Sequence, residues 1–179
     1  MRFRFLPYPP GGGARGGGED SIDSSQGAVD ISLQDTESSD IKRENIVTVK
    51  AFVCRGRTLL MIRHENGRWD LPGGRMNIPE PIADTLRREV REELGVEIAS
   101  ADFDHPWVWC WEKQSTSRPL IQNIVGIGYL CELASDDFRP SPPEHIAHTW
   151  ATAADLRTLN MHDGHRAGYL RWMELHGIA

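Results

Sequence analysis

The chain has 179 residues, 39% of them hydrophobic, with a formal net charge of −6 at pH 7. That length supports one domain with a real core. The negative balance repels polyanions, so nucleic acid is not an expected partner, and a phosphate-bearing ligand would need local arginines or a metal ion. No apolar run approaches the roughly 20 residues that cross a bilayer. The opening MRFRFLPYPP is too short and too Pro-broken for a signal h-region, so a cytoplasmic protein without membrane attachment is expected. Cys54, Cys110 and Cys131 are scattered without zinc-site spacing and read as buried, reduced thiols.

Residues 1–44 differ from the rest. GGGARGGG is followed by a Ser-, Asp- and Glu-rich stretch with few large apolar residues. Such a segment cannot bury enough surface to offset its ordering entropy, and reads as a flexible N-terminal tail ahead of a folded domain over 45–179. The folded part is expected to open with a strand at IVTVKAFVC (46–54), turn at RGR, and return as TLLMIRH (58–64). Asn66-Gly67 is a hairpin signal leading into the short strand WDL (69–71). A helix follows over about 81–94. Pro81 suits its first turn, Glu80 is placed at or near the N-cap, and Gly95 ends it. Ile82, Leu86, Val90 and Leu94 form its buried row. VEIAS (96–100) reads as a strand, and 106–114 with 120–133 as a long hairpin around STSR. Trp150 ends a later strand, Thr152 caps a short helix, and a last helix spans about 163–176. Mixed strands with two or three helices indicate an α/β sandwich rather than a parallel βαβ array.

The helix over 81–94 is electrostatically odd. Glu89, Glu92 and Glu93 crowd its C-terminal end, where the macrodipole disfavours anions, and Glu89 has like charges at i+3 and i+4. Carboxylates gathered this way repel unless a cation joins them, and all-oxygen ligands favour Mg²⁺ or Mn²⁺ over Zn²⁺. Such metals hold a diphosphate, neutralise developing charge and acidify an attacking water. Gly73-Gly74 permits a tight turn that brings backbone close to the metal or phosphates. An isolated REVREE would be an ordinary solvated face. The glycines and Glu80 at fixed spacing argue otherwise.

That spacing is G-x5-E-x7-R-E-U-x-E-E-x-G-U, with U aliphatic, running from Gly74 through Glu80, Arg88, Glu89, Glu92, Glu93 and Gly95 to Val96. It resembles the Nudix box at every fixed position, and the likeness extends to WDLPGG before it and over roughly 46–159. The resemblance implies a Nudix-type α/β/α sandwich with a mixed β-sheet. It also implies an Mg²⁺-dependent (Mn²⁺ as alternative) hydrolase of a nucleoside diphosphate linked to another group. By the same resemblance, the Gly73 carbonyl and Glu89, Glu92 and Glu93 are the metal ligands. Glu89 is also a candidate base, Arg88 orients it, and Glu80 pairs with Arg88. Family members often add an acid from a loop before a strand Trp; Glu144 sits there, with Glu112 as runner-up. Pro79 and Thr85 depart from common but unfixed positions.

Trp107, Trp109 and Trp111 alternate along one strand face. Packing under the C-terminal helix, stacking a nucleobase and forming a homodimer contact are the competing readings. Arg63, Arg68 and Arg118 are candidate phosphate contacts or plain surface cations. Downstream markers of ADP-ribose-type, dinucleoside-polyphosphate-type and NADH-type relatives are absent. A (deoxy)nucleoside triphosphate or oxidised nucleotide is therefore favoured, with ADP-ribose or dinucleoside polyphosphate as alternatives. A non-catalytic nucleotide-sensing module is the alternative of another class, though such relatives usually lose box glutamates. A prenyl-diphosphate isomerase on a related fold would need an extra Cys and Glu pair around the site, for which Cys54 or Cys110 is no more than a guess at the cysteine.

Overall fold

The computed structural model describes residues 41–114, 119–139, 141–142 and 145–179. The tail reading for 1–40, the STSR turn, Arg118 and Glu144 lie outside them. The first strand, β1 (Lys42–Arg55), starts earlier than the expected residue 46, inside the segment assigned to the tail. Polar residues extend it because a long partner lies alongside. β6 (Leu120–Leu133) pairs with β1 in parallel from Lys42↔Leu120 to Val53↔Cys131.

The other strands are β2 (Thr58–Arg63), β3 (Trp69–Asp70), β4 (Ile98–Ala101), β5 (Trp107–Gln114) and β7 (Ala147–Ala151). β2 pairs antiparallel with the end of β1, with β3 and with β7, whereas β4 and β5 both pair antiparallel with β6. One parallel pair among antiparallel ones makes the sheet mixed, as expected. The β2–β3 turn follows its sequence signal. Gly67 adopts φ 80°, and the Asn66 side chain accepts from the Arg68 N–H at 2.9 Å.

Among the described residues, three helices cover the sheet: α1 (Ile82–Leu94), α2 (Ala153–Leu156) and α3 (Asp163–Leu175). Leu86, Val90 and Leu94 of α1 are fully buried against Val49, Ala51, Val53, Leu60 and Ile62. On the other face Phe52, Leu59, Met61 and Trp109 pack against Tyr169, Trp172 and Met173. Alternate β1 residues thus feed two separate cores, as the period of a strand requires. Thr152 caps α2 in a reciprocal box with Asp155.

The thiols differ from the single expectation. Cys131 is buried, Cys54 half-buried and Cys110 exposed. Cys110 falls on the outward side of β5 because the inward side is taken by the tryptophans.

Candidate active site

β1 holds the glycine loop. The Val49 N–H donates to the Gly74 carbonyl at 2.9 Å, Ala51 N–H to Pro72 at 2.8 Å, and Met76 N–H to Val47 at 3.1 Å. Gly73 adopts φ 122°, and a Cβ there would stand 2.2 Å from the Val49 carbonyl oxygen. Glycine alone fits that conformation and contact. A Cβ on Gly74 would lie 2.4–2.6 Å from the Glu89 carboxylate, so this glycine lets α1 approach the loop.

Arg88 organises the helix face. Its Nε and Nη2 each donate to Glu80 at 2.9 Å, and its Nη1 donates to Glu89 at 2.8 Å and Glu92 at 3.1 Å. Glu80 stands beside the N-cap, as expected, and makes no capping hydrogen bond. Pro81 occupies the N-cap, and the Glu80 carboxylate turns to Arg88 and to the Thr85 hydroxyl at 2.9 Å. Bidentate geometry to a guanidinium outweighs a single amide contact. The Arg88 hydrogen bonds hold the Glu80 carboxyl down at about 2. Thr85 therefore has a use at its atypical position.

Glu93 is 4% exposed and accepts from the Gly73 N–H at 2.7 Å. Burial pushes its carboxyl up to about 8, against the opposing pull of Lys50 and the Gly73 amide. Burial also raises Glu89, with Arg88 opposing. Glu92 is about half exposed and bound to Arg88. The fully buried His145 donates from Nδ1 to the Glu93 carbonyl at 2.6 Å, tying the segment before β7 to the end of α1.

Lys50 was missed altogether. It is 3% exposed, and its Nζ donates to the Leu71 carbonyl at 3.1 Å, to the Gly73 carbonyl, and to Asp70 at 2.9 Å. A lone lysine between Val49 and Ala51 in an apolar run was the available signal. The Gly73 carbonyl, expected to face a metal, faces this ammonium.

Among the described residues, no three His, Cys, Asp or Glu side chains are gathered closely enough to hold an ion as arranged. The donor chemistry nonetheless fits a hard divalent cation. Gly73, Glu89, Glu92 and Glu93 offer oxygen alone, and a protein cation already stands on the Gly73 carbonyl. Glu112 is exposed and engaged by Arg43 at 3.0 Å.

Beside this loop lies a cavity of about 260 Å³, lined by Arg68, Asp70, Trp111, Lys113, His162 and His165 among others. Lys50 and Asp70 join it to the glycine loop. Of the three expected tryptophans, Trp111 lines the cavity, whereas Trp109 is buried on Phe52 and Tyr169 and Trp107 donates to the Gly168 carbonyl at 3.1 Å. Those two pack under α3. Arg68 lines the cavity and Arg63, at the exposed end of β2, does not. Lys113, His162 and His165 were not anticipated there.

The NUDIX domain family model matches residues 44–173, and the chain belongs to this family of hydrolases. Nudix hydrolases generally use divalent metals and act on small nucleotide substrates. A Mycobacterium tuberculosis protein provisionally named 8-oxo-dGTP diphosphatase 2 is 28% identical over 121 residues, covering 65% of this chain and 79% of its own length. The nucleoside triphosphatase NudI of Salmonella schwarzengrund is 46% identical over 43 residues, 24% of this chain and 30% of that protein. Among solved structures, a MutT protein from Methanosarcina mazei matches with TM-score 0.58 at 22% identity, covering 75% of this chain and 96% of that one. This last likeness concerns the fold. No helix among the described residues is long and apolar enough to cross a membrane.

Proposed function

We propose that the chain is an Mg²⁺-dependent diphosphate hydrolase acting on a (deoxy)nucleoside triphosphate, with the oxidised nucleotide 8-oxo-dGTP as the leading substrate. The observation that carries this reading is the packing of Glu89 and Glu93 against Gly73-Gly74, next to a cavity with an aromatic wall and cationic residues. The relatives named for 8-oxo-dGTP and nucleoside triphosphate hydrolysis support the substrate class.

In this reading the Gly73 carbonyl and the Glu89, Glu92 and Glu93 carboxylates hold the metal, with Glu144 as a further ligand. A bound divalent cation supplies Lewis-acid charge at the diphosphate oxygens. Glu89 accepts the proton of the attacking water, its carboxylate oriented by Arg88. The water oxygen bonds to one phosphorus, a phosphoanhydride bond breaks, and two phosphorylated products leave. Trp111 stacks the base, and Arg68 and Lys113 offset the repulsion between a polyanion and an acidic protein. A panel of nucleotides incubated with Mg²⁺ or Mn²⁺, read by product identity, tests the reading. Release of phosphorylated products from 8-oxo-dGTP is expected. No release from any member would contradict it and favour a binding module.

A further inference from the structure

The wall of the cavity contains a hydrogen-bonded chain whose direction is fixed. Asp70 accepts from Lys50 at 2.9 Å and from its neighbour's Leu71 N–H at 2.8 Å. Burial opposes its ionisation, but the Lys50 charge and the hydrogen bonds from Lys50 and Tyr169 outweigh that and hold its carboxyl far below the usual range. Asp70 is therefore an acceptor only. The Tyr169 hydroxyl, fully buried, contacts Asp70 Oδ1 at 2.5 Å and must give its one proton there. Its oxygen is left to accept, so His165 Nδ1, at 2.8 Å, must carry a hydrogen and donate it. Burial holds the imidazole neutral, pushing it down to about 4. A neutral ring with hydrogen on Nδ1 has a bare lone pair on Nε2. That nitrogen lies 3.8 Å from Asp70 Oδ2, beyond hydrogen-bonding reach.

His165 lines the cavity, and its ring centroid lies 4.2 Å from that of Trp111. The Trp111 ring comes this close to α3 because Gly164 has no side chain; a Cβ there would lie 2.3 Å from the indole. A base stacked beside Trp111 thus has a pure acceptor next to it. Guanine presents N7 as an acceptor, which would set two lone pairs against each other. The 8-oxo form carries a hydrogen on N7 and donates.

We propose that His165 is a specificity-determining residue whose Nε2 accepts a ring N–H of the bound base, so that 8-oxoguanine is taken in preference to guanine. Asp70 and Tyr169 are positioning residues that fix the tautomer. This rests on the oxidised-nucleotide reading above, but its test does not need turnover. A site built to accept a hydrogen bond rejects an analogue that cannot donate it, by about 100-fold or more.

Dissociation constants for 8-oxo-dGMP and dGMP, measured by calorimetry without metal, should favour the oxidised nucleotide at least about 100-fold in the wild type. His165→Phe keeps an aromatic ring beside Trp111 but has no acceptor. Tyr169→Phe frees the imidazole to change tautomer. Both should cut that preference at least about tenfold, mainly by weakening 8-oxo-dGMP. The ¹⁵N shifts of His165 in the wild type should report hydrogen on Nδ1. Hydrogen on Nε2, no discrimination by the wild type, or an unchanged ratio in a folded His165→Phe protein would overturn the proposal. Failure to hydrolyse 8-oxo-dGTP, with the binding preference intact, would instead sink the proposed reaction and leave His165 as a base-reading residue.

Discussion

At the scale of single residues, Lys50 has the largest energetic stake. Its ammonium is buried, and it is the ion-pair partner of Asp70. Breaking a buried pair from one side leaves an uncompensated charge, which costs roughly 3–5 kcal/mol. Lys50→Met should lower urea-unfolding stability by about that amount. Adding Asp70→Asn should recover more than half of the loss, because the stranded carboxylate is then neutral. Equal destabilisation in the single and double variants would show that Lys50 acts through packing alone. The box residues were legible because their spacing is fixed along one helix and one loop. Lys50 and His145 were not, because their partners lie 23 and 52 residues away in sequence at Gly73 and Glu93, and His165 was not, because the Tyr169 hydroxyl it bonds is fixed by Asp70, 99 residues from Tyr169. No local pattern encodes which strand lies beside which loop.

Among elements, α3 depends on its small residues. Gly164 and Gly168 stand one turn apart and receive Trp111 and Trp109; a Cβ would approach those rings to 2.3 and 2.6 Å. The three tryptophans were readable as one face of β5, but not how that face divides. Two glycines on a helix distant in sequence decide that Trp109 is core and Trp111 is cavity wall. Gly164→Ala should displace the Trp111 ring and cost about 1–3 kcal/mol by overpacking. It should also weaken nucleotide binding more than the same change at the exposed turn glycine Gly56, where no atom lies within 4 Å of a Cβ. Gly56 has φ 59°, so its alanine variant reports backbone strain without steric conflict. Thermal unfolding and nucleotide titration of the two variants separate the effects. The expected helix is present from Ile82 to Leu94, and Leu86, Val90 and Leu94 of its row are buried with Ile82 partly so, since an amphipathic period is local information. Glu80, next to the N-cap, turns its carboxylate to Arg88 two turns along instead of capping the helix.

For the whole molecule, pH acts on stability through the buried groups of the cavity. His165 is pushed down from 6.5 to about 4, mainly by burial, and Lys50, His162 and Lys113 add to the effect while Asp70 opposes it. The unfolded chain therefore takes up a proton below pH 6.5 that the folded chain refuses until about pH 4. Stability should fall as pH drops through that window, by at most roughly 3 kcal/mol from this group. Denaturant unfolding from pH 7 to 4 checks it, and His165→Phe should flatten the slope. An equally steep slope in that variant would assign the effect elsewhere.

The α/β sandwich followed from the pattern of elements, and the mixed sheet from the family resemblance that the box carries, with which the match over residues 44–173 agrees. The early start of β1 did not, since Lys42 to Asn45 are polar and are ordered by β6 rather than by their own propensity. Glu89 and Glu93, packed from α1 against the glycine loop, are the residues proposed to drive diphosphate cleavage. The most direct measurement is turnover of 8-oxo-dGTP with Mg²⁺ by the wild type, Glu89→Gln and Glu93→Gln, each confirmed folded by circular dichroism. The wild type should release phosphorylated products, and each variant should lose on the order of 10²-fold or more in kcat. Near-full Mg²⁺-dependent activity in either folded variant would contradict it.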